Sequence, residues 1–566
     1  MAINTAAFTR KNAILLLFCA ILFLGFILRS YNLNFPSIGY HDMKENEYLG
    51  VAQEMQRTGD FLSRRVYFYD AFDENSNLKI SPQPSLISYQ IILSWKLFGE
   101  NLWSLRLCNI VFGLLSIPVM YYLAFALFRR VSLSLFCSLL LAIMPLGVFF
   151  SRNIQPESPA FFFMLLGNLF YLRFGASLKK YYLLLGGCSF VLSGLYASNF
   201  IFGAIACLFF FPFQDFSKNK KELLKFALPF ILPYVALFSI GVWLSFLRPG
   251  HFLKLDKMRL WDVFFSGYWQ QHGRQIWWYI RGENFTLVFA ILSLSGVIIA
   301  FLNPVRNLFH SSGCSIVSNG VKRKSLLDRY IIGWVLTALI YLAVYSDPIY
   351  QANYYQMPFL GMVCILSTYA VSSISQMLKK IIKAELLVFI MLIVLGLSVP
   401  SAYNSIVKMH ATVFLGLDVA GESLKELTAP DERIFLHTHA QGYGIARYAR
   451  RYAGWTPDLE DFKTKEKKYN IKYICFYPIE FSQGLKLKNL PLYEYIRNNY
   501  HVKEIGLIEE PRQLFYAILE KGKGSSDKDF LQSFSGPMRL RTIYRIFGRY
   551  IFFYSLRPVA LEQPEK

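Results

Sequence analysis

Three short stretches of this chain gather the residue types that acid–base and anion chemistry requires. The first is Gly39-Tyr-His-Asp-Met-Lys-Glu-Asn-Glu-Tyr48. Read as a helix from Asp42, it places Glu45, Tyr48, Ala52 and Met55 on one side, with Asp42 a turn before Glu45 and Lys44, Glu47, Glu54 and Arg57 elsewhere. A carboxylate on an apolar face needs a partner or a chemical task, so Asp42 and Glu45 are candidate catalytic acids, with His41 beside them. The second stretch is Ser151-Arg-Asn-Ile-Gln-Pro-Glu-Ser-Pro159, where Glu157 opens an apolar run, flanked by Arg152 and Gln155. An acid there after a proline is also a favoured partner of a helix N-terminus. The third, Ser346-Asp-Pro-Ile-Tyr-Gln-Ala-Asn-Tyr-Tyr-Gln-Met-Pro358, is unusually polar and aromatic ahead of an apolar run and contributes Tyr354, Tyr355 and Gln356.

What must position these groups is a membrane-embedded scaffold. The chain has 566 residues, of which 54% are hydrophobic and 17% aromatic, too apolar for a soluble protein of this length. Charge at bilayer depth costs about 2.5–3.5 kcal/mol per group, so acids at span boundaries call for an explanation. Runs able to cross a bilayer occur near 12–29, 104–127, 131–150, 157–174, 180–197, 225–247, 284–303, 329–346, 356–377 and 383–402. A shorter run at 199–213 brings the expected number to eleven. The run after Arg10-Lys11 lacks a small-residue cleavage site and reads as a retained first span.

The basic excess of +22 follows the positive-inside pattern. Arg129-Arg130, Lys179-Lys180, Lys218 to Lys225, Arg306 to Arg329 and Lys379 to Lys383 fall on one side, and only Arg152 sits in the short opposite connections. All three polar stretches then share the non-cytoplasmic face. The 248–283 loop joins them, with Trp261, Phe264, Phe265, Trp269, Trp277 and Trp278 suited to an interfacial belt or lipid groove and Arg259, Arg274 or Arg281 offering positive charge. No basic stripe coincides with a nucleic-acid motif, so nucleic acid is not an expected partner. The eight cysteines are scattered without paired spacing and imply neither disulfides nor zinc.

After Tyr403 the composition turns polar. Residues 404–521 alternate strand-like and helix-like runs and are expected to form a small extracytoplasmic α/β domain on the transmembrane part, 1–403. Residues 522–566 read as a linker and a basic, aromatic amphipathic tail suited to anionic lipid. Gly442-Tyr-Gly444 follows a strand but lacks the third glycine and downstream acid of a dinucleotide turn.

The order of these features resembles the GT-C membrane glycosyltransferases, in the group of the bacterial aminoarabinose transferases and the dolichyl-phosphate-mannose–protein mannosyltransferases. The residues that carry the resemblance are Glu45…Tyr48…Met55…Gly59-Asp60, Gln83-Pro-Ser-Leu86, Arg152…Gln155-Pro-Glu157 and Tyr354-Tyr-Gln-Met-Pro358. It implies a polytopic α-helical GT-C fold and a polyprenyl-phosphate sugar donor, with the acceptor a hydroxyl of a lipid, a glycan or a protein. It further implies catalysis by Asp42, Glu45 or Glu157 and donor-phosphate binding by Arg152, Lys44, Lys79, Arg259 or Arg274. Substrate contacts are expected from His41, Gln83, Gln155, Tyr354, Tyr355 and Gln356. The group's acidic pair falls on Lys44-Glu45, its phosphate-contacting lysine on Gln83 and its late histidine on Ala352. No cofactor is required by the sequence; a divalent cation bridging phosphate and carboxylate is the one the chemistry leaves room for. The implied setting is a bacterial inner membrane with the site facing the periplasm. Alternative readings are a polyprenyl-linked oligosaccharide polymerase or ligase, and a transporter, although no inverted repeat is visible.

Overall fold

The computed structural model describes residues 2–62, 64–68, 70–72, 85–177, 179–208, 220–247, 267–310, 319–522 and 536–557. Lys79, Gln83, Arg259, the aromatics Trp261, Phe264 and Phe265, and most of the expected 522–529 linker lie outside the described residues. Among the described residues, helices occupy the stretches expected to span. The first eight are α1 (Ala2–Arg29), α2 (Asp42–Thr58), α3 (Leu86–Phe98), α4 (Leu102–Phe128), α5 (Val131–Ile143), α6 (Pro145–Arg152), α7 (Glu157–Ser177) and α8 (Lys180–Tyr196). Among the described residues, length and apolarity alone qualify four helices as membrane spans, or six with two bent pairs each counted once. This is an integral membrane protein.

The bends have local causes. Met144-Pro145 breaks the third apolar run into α5 and α6 at 56°. Pro145 has no N–H to donate to the Leu141 carbonyl one turn back, and α5 ends with unpaired carbonyls inside the bundle. Arg29, buried at the end of α1, donates to Ala142 O (2.9 Å) and Leu141 O (3.3 Å), and to Gly25 O (3.0 Å). The broken helix is therefore capped by a side chain from another span. Close approach there relies on Gly113 of α4, where a Cβ would lie 2.3 Å from Ser151 Oγ. The second bend, 110°, separates the amphipathic Tyr268–Tyr279 helix and its π-helical end Ile280–Asn284 from the apolar Thr286–His310 helix.

Beyond the membrane helices lies a seven-stranded sheet of order β2-β1-β3-β5-β4-β7-β6. Its strands are β1 (Ile434–His437), β2 (Ala453–Gly454), β3 (Tyr473–Phe476), β4 (Tyr500–Ile508), β5 (Gln513–Lys521), β6 (Met538–Ile546) and β7 (Arg549–Leu556). β1 is parallel to β2 and β3, and the remaining pairs are antiparallel. The stretch read as a separate basic tail is a correction: β6 and β7 form a hairpin that joins the sheet through β4. Its two-residue turn, Phe547-Gly548, has both φ angles positive (45° and 80°), the geometry that matches strand twist. Arg541 of β6 pairs with Glu426 of the Leu417–Leu427 helix, and Arg557, just past β7, pairs with Glu504 of β4.

The Gly442–Ala449 helix packs directly on α2. Gly444 serves that contact, since a Cβ there would lie 3.0 Å from Asn46 Nδ2 of α2 and 2.4 Å from Leu417, and a Cβ on Gly442 would lie 2.3 Å from the Phe68 ring. Arg29→Leu should strand two buried carbonyls at about 1–3 kcal/mol each and lower the unfolding midpoint in detergent. An unchanged midpoint would show that the α5–α6 break needs no cap.

Candidate functional site

α2 carries its N-terminal acids into the protein. His41 precedes it in a left-handed conformation (φ 59°, ψ 26°), and Gly59 ends it likewise. Asp42, Glu45, Asn46, Leu49, Ala52 and Met55 are buried, so the carboxylates do lie on the inward face. Glu54, expected elsewhere, is buried too, because Arg57 and the Tyr452 hydroxyl cover it. Glu45 Oε1 pairs with Arg106 Nη2 on α4 at 3.3 Å and accepts from the Ile154 N–H at 3.3 Å. Arg106 also donates to the carbonyls of Leu33 (2.7 Å) and Phe35 (2.5 Å). Asp42 is buried with Oδ2 unpartnered; burial, reinforced by the Glu45 charge, holds its ionisation well above the usual carboxylate range.

The three polar stretches meet around His41. Its ring Nε2 lies 2.8 Å from Asn353 Oδ1, its carbonyl accepts from Gln155 Nε2 at 3.1 Å, and its ring meets Tyr354 edge-on at 5.1 Å. The turn holding Tyr354 thus gains an imidazole from the first loop where its own sequence has Ala352. Asn284 Nδ2 bonds Gln356 Oε1 (3.0 Å) and Asn353 O (3.1 Å). Burial pushes His41 down to about 4; the Asn353 contact opposes this and Lys44 adds to it.

A cleft of about 720 Å³ opens beside this junction. Glu157, Lys44 and Arg64 supply its charges, and Tyr48, Tyr196, Tyr345, Tyr354 and Tyr355 much of its wall, with Ser85, Ser198 and Asn199. Glu157 begins α7, is buried, and leaves Oε2 without a partner. Lys44 bonds Glu47 at 2.9 Å; burial works against its charge, yet Glu47 and Tyr48 raise its ionisation above the ordinary lysine value.

The structure therefore separates the expected acids. Glu157 and Lys44 share the cleft with Tyr354 and Tyr355, while Glu45 and Asp42 do not line it. Glu45 and Arg152 line a smaller cavity with Arg106 and His410. Arg152 is used on backbone, donating to the Tyr31 and Asn32 carbonyls at 2.6 Å each. Arg274 and Arg281 are exposed and line no described part of the cleft. Sequence reasoning missed Arg64, Arg106, Glu283 and Asn353. Arg106 had a signal, an arginine inside an apolar run; Glu283 had a weaker one, an acid just ahead of another. Among the described residues no three His, Cys, Asp or Glu side chains converge. A divalent cation would be held as Mg²⁺ commonly is, by one or two carboxylates and a substrate phosphate.

A family model described as dolichyl-phosphate-mannose-protein mannosyltransferase matches residues 82–245. An undecaprenyl phosphate-alpha-4-amino-4-deoxy-L-arabinose arabinosyl transferase of Pseudomonas aeruginosa (strain UCBPP-PA14) is 26% identical over 265 residues, 45% of this chain and 44% of that protein. Its counterpart in Pseudomonas paraeruginosa (strain DSM 24068 / PA7) is 27% identical over the same shares. The match spans less than half the length of these curated relatives. Among solved structures, ArnT from Cupriavidus metallidurans in the apo state covers 90% of this chain and 98% of its own, with a TM-score of 0.51 and 12% identity. The chain has the GT-C fold. Within that fold it resembles the aminoarabinose transferases and protein mannosyltransferases, as its motifs imply.

Breaking the Glu45–Arg106 pair on one side leaves a buried charge alone. Glu45→Gln and Arg106→Met should each cost about 3–5 kcal/mol, and the double variant less than their sum, as read by thermal unfolding in detergent. His41 binds its proton less readily folded (about 4) than unfolded (about 6.5), so its contribution to stability is present above 6.5 and lost as pH falls toward 4. His41→Gln should remove that part of the acid sensitivity, and an identical stability–pH curve would contradict the assignment.

Proposed function

We propose that this GT-C protein is an integral-membrane glycosyltransferase. It moves a sugar from a polyprenyl-phosphate donor to an acceptor hydroxyl on the non-cytoplasmic face, the periplasmic side of a bacterial inner membrane. The observation that carries the reading is the cleft in which Glu157, with an unpartnered oxygen, faces Lys44 and Arg64 among phenols. The matched relatives support it, since their names state an undecaprenyl phosphate-linked aminoarabinose donor and arabinosyl transfer.

The chemistry follows from those side chains. Lys44 and Arg64 hold the donor phosphate, giving charge-assisted hydrogen bonds in a partly dehydrated site. Tyrosine hydroxyls with Ser198 and Asn199 take the sugar's hydroxyls. Glu157 accepts the proton of the acceptor hydroxyl as its oxygen bonds to the anomeric carbon. The bond from that carbon to the phosphate oxygen breaks, and polyprenyl phosphate leaves with the electron pair. A single displacement of this kind inverts the anomeric centre. The polyprenyl chain, at about 0.8 kcal/mol per buried CH₂, remains in the bilayer beside the cleft. The acceptor is a lipid, glycan or protein hydroxyl delivered from the aqueous side. Glu45 and Asp42 support α2, and Glu45 fixes the turn that presents Glu157.

The test is transfer of radiolabelled sugar from a panel of polyprenyl-phosphate sugars in proteoliposomes. Glu157→Gln should lower kcat by about 10²–10⁴ with little change in unfolding midpoint, the loss expected for a general base. Wild-type turnover in that variant would sink the assignment. Arg64→Ala should raise the KM for donor about tenfold, the loss of one hydrogen bond to a charged group of about 1.5 kcal/mol. An unchanged KM would remove Arg64 from the phosphate site.

A further inference from the structure

Glu283 is a buried acid that the catalytic reading does not use. It closes the π-helical turn between the Tyr268–Tyr279 helix and the Thr286–His310 helix. Its Oε2 accepts from Tyr40 Oη at 2.9 Å and from Asn353 Nδ2 at 2.9 Å. With Glu283 Oε2 accepting from its nitrogen, the Asn353 amide turns its oxygen to His41. Asn353 is fully buried, and its backbone carbonyl is tied to Asn284. The Asn353 oxygen 2.8 Å from His41 Nε2 is itself an acceptor, so the hydrogen must reside on Nε2. In the neutral ring, Nδ1 then keeps its lone pair. Among the described residues Nδ1 has no hydrogen-bond partner.

We propose that Glu283, acting through the Asn353 amide, is a positioning residue that fixes His41 as the neutral Nε2–H tautomer and so presents Nδ1 as a hydrogen-bond acceptor to a sugar hydroxyl at the edge of the cleft. The inference rests on the glycosyl-transfer reading only for the identity of that hydroxyl; the tautomer stands on the hydrogen-bond chain alone. The ring lies next to the cleft wall, since it meets edge-on Tyr354, which lines the cleft. The charged and titratable groups around it are Lys44 on α2, Tyr40 before it, Tyr354 on the 353–359 turn and, through Asn353, Glu283 on the 280–284 turn. Phe150 and Gln155, from the α6–α7 region, bring no charge. A neutral imidazole adds no positive charge beside Lys44, so it can take a hydroxyl without competing for the donor phosphate.

The discriminating variant is the exchange Glu283→Gln/Asn353→Asp in the full-length protein. It preserves the number of hydrogen bonds: the new amide nitrogen, in the place of Oε2, donates to the new carboxylate and to Tyr40 Oη, and the new carboxylate accepts from His41. It also places a negative charge directly on the imidazole. Nitrogen-15 NMR of histidine-labelled protein, with the His41 signal assigned by His41→Gln, reads the tautomer and charge state. Wild type should give the neutral Nε2–H pattern at pH 7 and the exchange variant the imidazolium pattern. The exchange variant should keep an unfolding midpoint near wild type, yet kcat/KM should stay at least tenfold down. A purely structural Glu283 predicts recovered activity, and that outcome, or a wild-type Nδ1–H pattern, overturns the proposal. Failure of wild type to use any lipid-linked donor would count against the transferase reading and leave the NMR result to decide the tautomer.

Discussion

The arrangement depends on one buried ion pair. Arg106 emerges from an apolar helix, α4, and finds there the Glu45 carboxylate and the carbonyls of Leu33 and Phe35. Neither charge could remain in this environment alone, since the desolvation of each is offset only by the other and by surrounding donors and acceptors. Because Glu45 also receives the Ile154 N–H, the pair fixes three things at once: the segment leading into α2, the start of α4 and the turn before Glu157. An external helix and a membrane helix thereby share one register. The cleft lies on the other side of that register, where Lys44 and Tyr48 of α2 look toward Glu157.

A second constraint is the handling of backbone groups inside the bilayer. Breaking a helix at Met144-Pro145 redirects α6 so that Ser151 and Arg152 reach the outer junction, but it leaves carbonyls with no water to take. Arg29 answers from α1 and Arg152 itself answers the carbonyls of Tyr31 and Asn32. Both arginines therefore serve as backbone caps. The presence of a cation near a catalytic face is weak evidence of phosphate binding until its donors are counted.

Much of the scaffold was legible from apolar periodicity, since a bilayer demands long runs and those runs are helical here. The strands β1, β3 and β5 were legible as short apolar runs, whereas β4, β6 and β7 were not. β6 and β7 alternate arginine and tyrosine with apolar residues and face solvent in part, so composition suggested a lipid-facing tail; the Phe547-Gly548 turn was the missed hairpin signal. The three polar stretches were found because polar clusters at span ends are costly. The division of labour among their acids was not, because Glu45 and Glu157 differ only in what faces them across the fold. Asn353 reaches His41 across 312 residues of sequence and Glu283 reaches Tyr40 across 243, while Arg64 meets Glu157 only in the wall of the cleft, and no local pattern encodes such proximities.

The 538–556 hairpin reaches back to the start of the first external loop. Asn32 Nδ2 donates to the Arg545 carbonyl, 513 residues away in the chain, and the Phe547 N–H donates to the Tyr31 hydroxyl while the two rings stack at 4.6 Å. Tyr31 and Asn32 are the residues whose carbonyls hold Arg152. The clasp that steadies the loop is thus formed by a segment synthesised long after it. Until that segment has been made, the junction stands without this brace, and a shorter nascent chain cannot reach the finished geometry.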